Sequence, residues 1–407
     1  MTVAAPRAGY ADLLDVPHFA RLAASTIMVR TAAAMWQLAL VLFVLSRFGS
    51  PGLAGLAVFL GIAPGILVSP LAGALLDRYG RVRLMALDFA LSCVVLAAIA
   101  VFSLVGALPL WLLLLLVVTA SLTNPLGSAG SRTLFPLVVP RGLWDRANAV
   151  DAMGYTLTAI VGPPIAGAIV AFIGAEAAIA ATAGVYLVSA LGLIGIRIRE
   201  TPADSDGVVN DARAGVMYVI RNRSLRGLAL GISVANLAQG ILLVALPVLV
   251  FERLQGGASL VGLLWGIVGV GGVISGLTAG RAGSEGRERL FIIGGMLGIA
   301  LGIGVLTFAA SLAAVALGAL LTGLFGGPMD IGLFSMRQRV TDPAWYGRAF
   351  AVSMHLNYSG VPVGSAIAGL LLGVSTTVAL AAATTLALVA AGITFAVVPR
   401  SAAARQG

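Results

Sequence analysis

Lysine is absent from this 407-residue chain, so all 25 of its basic side chains are arginine. Cysteine occurs once, at Cys93, which excludes an internal disulfide and a cysteine-built metal site. Two histidines, His18 and His355, are too few for a histidine metal centre. Charge of either sign is scarce: 10% of residues, against about 25% in a soluble domain. There is no glycine-rich phosphate loop and no nucleophile–base set, so neither nucleotide-driven chemistry nor enzyme activity is expected, and no cofactor is implied.

What is present is apolar. Hydrophobic residues make up 59% of the chain and the mean hydropathy is +1.04. Runs of about 20 apolar residues are long enough to cross a bilayer as helices. The pattern predicts an all-α membrane protein with twelve spans, at 19–46, 52–76, 83–106, 109–133, 149–173, 176–196, 225–251, 259–280, 289–309, 312–336, 348–373 and 376–397. Residues 197–224 are the longest polar segment and divide the spans six and six. The expected domains are therefore a bundle over 1–196, a linker over 197–224 and a second bundle over 225–407. With the N-terminus inside, every arginine except Arg30, Arg47 and Arg253 falls in or beside an inner segment. That asymmetry predicts a multi-pass protein of the cell membrane with both termini cytoplasmic. The net charge of +9 then serves orientation, and no nucleic-acid partner is expected.

One loop stands out. Gly73-Ala-Leu-Leu-Asp77-Arg78-Tyr-Gly80-Arg81-Val-Arg83 packs one acid and three arginines between two apolar runs. Gly80 permits a tight reversal, and Asp77 is placed to accept backbone N–H groups at a helix start. The bland reading is a topology anchor. The spacing, however, resembles the loop between helices 2 and 3 of the major facilitator superfamily of transporters, with Val82 where the family usually has a further base. The halves also repeat: Arg146-Ala-Asn-Ala-Val and Arg348-Ala-Phe-Ala-Val lie 348 − 146 = 202 positions apart, and the same offset maps Gly162 and Gly167 onto Gly364 and Gly369. A weaker echo of the loop is Gly276-Leu-Thr-Ala-Gly280-Arg281-Ala-Gly283. Parallel six-helix repeats about an axis along the membrane normal are the design of that fold.

Helix 5 carries Gly162-Pro163-Pro164 and Gly167, similar to a Gly-Pro-x-x-Gly-Gly segment of the antiporter branch, with Ala166 in place of a glycine. The whole pattern most resembles bacterial drug–proton antiporters of the macrolide and multidrug exporter kind. The resemblance implies a monomeric carrier that exports lipophilic solutes against inward proton flow, gated by Gly73, Asp77, Arg78, Gly80, Arg81, Arg83, Asp151 and Arg348. It implies that Asp77 holds the start of helix 11, near Arg348, across the inner seam. An arginine midway along helix 4, another antiporter feature, is missing; Arg132 lies at that helix's inner end.

Arg30 sits about eleven residues into the first span, where a charge costs ~2.5–3.5 kcal/mol or more without a partner or water. Aligning Arg21 with Arg226 sets Arg30 opposite Ala235, beside Asn236. Gln37, Asn236 and Gln239 offer polar groups at similar depth, and Met35, Trp36 and Trp265 offer apolar surface. With Tyr155, Asn357 and Tyr358 they form the candidate substrate site, suited to a lipophilic and even anionic or zwitterionic solute; the alternative is a structural arginine tying helices together. For proton coupling the candidates are Asp330 and His355, expected at comparable depth on adjacent helices, and Asp88. The competing reading makes Asp330 and His355 a polar pair near the interface. Asp88 and Asp151 are expected near the inner surface, paired with Arg81, Arg83, Arg132 and Arg146. Two further functions remain open: a lipid, lysolipid or siderophore carrier of the same fold, and a non-transporting sensor or scaffold.

Overall fold

The structure is a computed structural model that describes residues 11–196, 198, 208–342 and 345–399. Six helices form the first bundle: α1 (Phe19–Phe48), α2 (Pro51–Tyr79), α3 (Arg81–Leu104), α4 (Leu110–Val138), α5 (Trp144–Phe172) and α6 (Ala175–Leu193). The second comprises α8 (Arg223–Arg253), α9 (Ala258–Ala282), α10 (Glu288–Phe308), α11 (Leu312–Val340), the pair α12 (Tyr346–Tyr358) and α13 (Gly360–Leu372), and α14 (Thr376–Val397). Among the described residues eleven helices are singly long and apolar enough to span a membrane. The twelfth crossing is the broken pair α12–α13. With almost no water to satisfy backbone groups in lipid, helices are the spanning solution for such a sequence.

Two elements differ from the hydropathy reading. The segment between the bundles is not all linker: it holds α7 (Val208–Arg221), which packs on α12 and touches α2. The eleventh span, read as one helix over 348–373, breaks at Ser359. Pro362 has no N–H to return to the Tyr358 carbonyl four residues earlier. Gly360 lies so close to α8 that a Cβ there would stand 2.2 Å from the Ser233 carbonyl oxygen. Continuous apolarity hides a break of this kind.

Polar loop residues set the remaining boundaries. Ser50, Ser311 and Ser375 each cap a helix start by accepting a backbone N–H three residues on, and Asn222 caps α8 in the same way. Gly80 alone separates α2 from α3, at φ 89°, and Gly283 ends α9 at φ 68°. Both positions are left-handed, where a side chain is strained. The glycine echo in the sequence is thus a repeated turn. A second repeat lies at the other end of the bundles. Arg47, ending α1, donates to Ser103 Oγ at 2.9 Å, and Arg253, ending α8, donates to the Thr307 carbonyl at 2.8 Å and Thr377 Oγ1 at 2.7 Å.

The arginines gather where α2 meets α3, α4 meets α5, α9 meets α10 and α11 meets α12, in the adjoining helix ends as well as the loops, and along the segment between α6 and α8; together they define a basic face. The bundles meet chiefly along two seams, α5 against α9 and α2 against α13. Both are built from glycine near the opposite face. A Cβ on Gly167 would lie 2.6 Å from the Ala258 carbonyl, and one on Gly262 2.8 Å from that of Pro163. A Cβ on Gly55 would lie 2.2 Å from the Ser365 carbonyl, and one on Gly369 2.9 Å from the Gly52 Cα. Small residues let helix backbones approach this closely. Towards the basic face the rows lose their neighbours: nothing approaches a Cβ at Gly73 or Gly276 within 4 Å. The bundles are sealed opposite the arginines and parted on the arginine side.

Candidate functional site

Beneath the seal lies a cavity of about 220 Å³, lined by Ala34, Gln37 and Leu38 of α1, Pro163 of α5, Gln239 and Leu243 of α8, Trp265 of α9, and Tyr358 and Val361 of α12 and α13. Both bundles contribute. Ala34 and Leu38 correspond to Gln239 and Leu243 at the 205-residue offset that aligns Arg21 with Arg226 (239 − 34 = 205 and 243 − 38 = 205), so the same face of the repeated helix forms both walls. Gln37, Gln239, Trp265 and Tyr358 of the expected substrate set are brought together here. Met35 and Trp36 are not: Met35 is buried in the bundle core and Trp36 packs against that core.

Arg30 stands nearer the basic face, but its partner is not the Asn236 side of α8. Its Nη2 lies 2.8 Å from Asp151 Oδ1 on α5, its Nη1 donates to the Asp151 carbonyl at 3.1 Å, and its guanidinium lies 3.9 Å from the centre of the Tyr155 ring. The approach is close because Gly154 leaves room; a Cβ there would meet Ile27 Cγ1 at 3.0 Å. Asp151 is therefore bound to Arg30 of α1, through side chains only 9% and 24% exposed. The charge of Arg30 is compensated inside the protein, which removes the basis for an anionic substrate at this position.

Asn236 is held by its own network. Its Nδ2 donates to the Asn357 carbonyl at 2.7 Å. The Asn357 amide, oriented to satisfy both its ends, accepts from Arg337 Nη2 at 2.8 Å and donates to the Ser353 carbonyl at 3.2 Å. Arg337 Nη1 reaches Met354 Sδ at 3.1 Å. Arg337 is fully buried, and sequence reasoning missed it, because the tenth span was ended at 336 and the arginine counted as an interface charge. A signal was available: Arg337 is seven residues after Asp330, about 20° short of two full turns, and shares its helix face. Asn357 is consequently a helix-pinning residue rather than part of the cavity lining.

Asp330 is exposed on the face that α11 turns towards α12, and no ion-pair partner for it is found among the described residues. His355 is exposed too, but it neighbours Met354 and so stands level with Arg337, about two turns from the depth of Asp330. Asp88 is not at the surface. It is buried between α3 and α4, where a Cβ on Gly127 would lie 2.3 Å from its Oδ2. Helical phase explains this, since position 88 turns α3 towards α4 and away from the basic loops. Glu176, at the start of α6, accepts from Ser103 Oγ at 2.8 Å.

In the basic loop, Asp77 falls in the last turn of α2, and the residue before α3 is Gly80, with no side-chain cap. Gly73, Arg78 and Arg83 are exposed, Arg81 is half-buried, and the Arg78 guanidinium lies 5.5 Å from the Tyr79 ring centre. The side chains of Asp77, Arg132 and Arg348 lie outside the described residues. Among the described residues no cluster of His, Cys, Asp and Glu could hold a metal ion.

Comparison with known proteins bears on this arrangement. Residues 22–281 match the profile of the Major Facilitator Superfamily. An uncharacterized MFS-type transporter, y4rN of Sinorhizobium fredii, is 36% identical over 366 residues, covering 89% of this chain and 90% of that protein. The multidrug efflux pump Tap of Mycolicibacterium fortuitum is 25% identical over 80% of this chain and 82% of its own length. The enterobactin exporter EntS of Escherichia coli is 24% identical over 84% of this chain and 80% of its own. In three dimensions the nucleoside transporter NupG superposes with a TM-score of 0.77 at 11% identity, covering 93% of this chain and 99% of that one, a likeness of fold. Twelve crossings in two repeated bundles, a cavity between them, and these relatives agree: the chain belongs to the major facilitator superfamily, as a multi-pass membrane transporter rather than an enzyme.

Proposed function

We propose that the protein is a secondary active exporter, moving lipophilic small molecules out of the cell by alternating access in exchange for protons. The observation that carries this reading is the cavity shared by two bundles that are sealed at one face only, because a carrier must close one side while the other is open. The arginine asymmetry makes the basic face cytoplasmic, so this state is the one that loads solute from inside. The likeness to Tap supports a drug-like cargo, and the resemblance of the α2–α3 loop supports gating by Asp77 and its arginines at the face that must close.

Coupling needs a titratable group whose surroundings change during the cycle. Asp330 suits this role: it is a carboxylate within a spanning helix, on the face of α11 that carries Arg337, and among the described residues no cation holds it. Asp151, bound by Arg30, suits a structural and gating role instead. His355 and the buried Asp88 are the remaining coupling candidates. Everted membrane vesicles given a panel of lipophilic dyes in the outside medium test the reading. Expulsion into the lumen should require an imposed proton gradient and fall to background in Asp330→Asn, while dye binding persists. Transport that survives both collapse of the gradient and Asp330→Asn contradicts it. A second reading, export of a siderophore, is favoured by the likeness to EntS; a catecholate siderophore in the panel separates the two.

A further inference from the structure

The cavity is rich in hydrogen-bonding groups and empty of fixed charge. Its two carboxamides, Gln37 and Gln239, have no hydrogen-bond partner among the described residues, and Trp265 Nε1 is buried without one. Gln37 is half-buried and Gln239 exposed, so both amides are free to meet a solute, whereas the buried indole N–H costs free energy until something pairs with it. Each amide offers two donors and an acceptor, and the indole adds a donor. The Arg30–Asp151 pair on α1 and α5 is closed on itself. Tyr358 and Trp265 supply flat aromatic surface, and Leu38, Leu243 and Val361 the apolar remainder. The two glutamines stand one turn apart in the repeat, since Gln239 aligns with Ala34 and Gln37 lies three residues beyond it. Their amides therefore reach a solute at two depths.

We infer that this cavity selects an uncharged, flat substrate moiety whose edge carries both hydrogen-bond donors and acceptors, such as a lactam, imide or heteroaromatic amide, with Gln37 and Gln239 as its specificity-determining residues. The inference rests on the export reading for its role in transport, but the recognition itself is a binding property. The volume of about 220 Å³ corresponds to about seven waters at ~30 Å³ each, enough for a ring system but not for a large amphiphile. A cation would lose its hydration and meet no carboxylate, with only the faces of Trp265 and Tyr358 to offset the loss. An anion is equally unmatched, because the guanidinium of Arg30 is already paired.

The test uses the purified full-length protein in detergent and three probes: lumichrome, a flat uncharged ring with imide and lactam edges; its N-methylated analogue, which lacks those donors; and ethidium, a flat cation. Binding is read from quenching of tryptophan fluorescence and from equilibrium dialysis. Lumichrome should bind more tightly than either comparator. Gln37→Leu and Gln239→Leu should each weaken it about 3- to 10-fold, the range of one or two net hydrogen bonds. Gln37→Glu and Gln239→Glu, nearly isosteric, should reverse the preference towards ethidium, which guards against loss through misfolding. The inference is overturned if lumichrome does not bind, if both leucine variants bind it unchanged, or if the parent protein prefers ethidium. Gradient-driven movement of the same probes in vesicles is a separate readout. Expulsion of ethidium alone leaves export standing and sinks this selectivity; glutamine-dependent lumichrome binding without gradient-driven movement of any probe does the reverse.

Discussion

Removing one member of the Arg30–Asp151 pair leaves the other charge inside the protein with nothing to compensate it. Single loss of a buried partner typically costs about 3–5 kcal/mol, whereas replacing both with apolar residues of similar size is often nearly neutral. Arg30→Met and Asp151→Leu should each lower the thermal midpoint in detergent sharply, and the double variant should recover most of the loss. A double variant as unstable as the sum of the singles would show that each residue has an independent role. Arg337 invites a different experiment, since its guanidinium holds Asn357 and Met354 of α12. Arg337→Met should free α12 from α11, so that α12 amides exchange hydrogen roughly tenfold faster, a ~1.4 kcal/mol drop in opening free energy, while those of α14 stay unchanged. Equal acceleration in both helices would mean general destabilisation and no pin.

At the scale of the element, the glycine seams hold the closed face. Gly167 allows no larger residue without moving α5 away from Ala258 and Gly262. Gly167→Leu should therefore open the seal. With Cys93 replaced by serine, a cysteine at Ala34 should become reachable by a membrane-impermeant thiol reagent added at the face opposite the arginines, and it should stay protected in the parent. Unchanged protection in a folded Gly167→Leu protein would place the seal elsewhere. The elements differ in how legible they were. Eleven spans could be read because each is a long apolar run, and the repeat because Arg146 and Arg348 share an offset. The α12–α13 break, the partner of Arg30 and the burial of Asp88 could not. In a helix that is apolar all round, periodicity does not tell a face turned to lipid from one turned to a neighbouring helix. Pairing Arg30 with Asp151, 121 residues away, needs the packing of α1 on α5, which hydropathy does not contain. The cavity was partly visible, because polar residues such as Gln37 and Gln239 in the middle of spans need a reason to be there. Asn236 looked the same and proved to be spent on Asn357.

For the whole molecule, alternating access requires that two bundles rock about the cavity, so that opening one face closes the other. Two pairs of labels test this in a background lacking Cys93. One joins Ser50, at the start of α2, to Ser375, at the start of α14, across the sealed face; the other joins Tyr79, ending α2, to Ala282, ending α9, across the basic face. The decisive measurement is the two spin-label distances in reconstituted protein, with and without a proton gradient and a transported solute. Under turnover the Ser50–Ser375 distance should acquire a longer population while the Tyr79–Ala282 distance acquires a shorter one, in equal proportion. Solute movement with both distances fixed, or with the two faces opening together, would contradict alternating access.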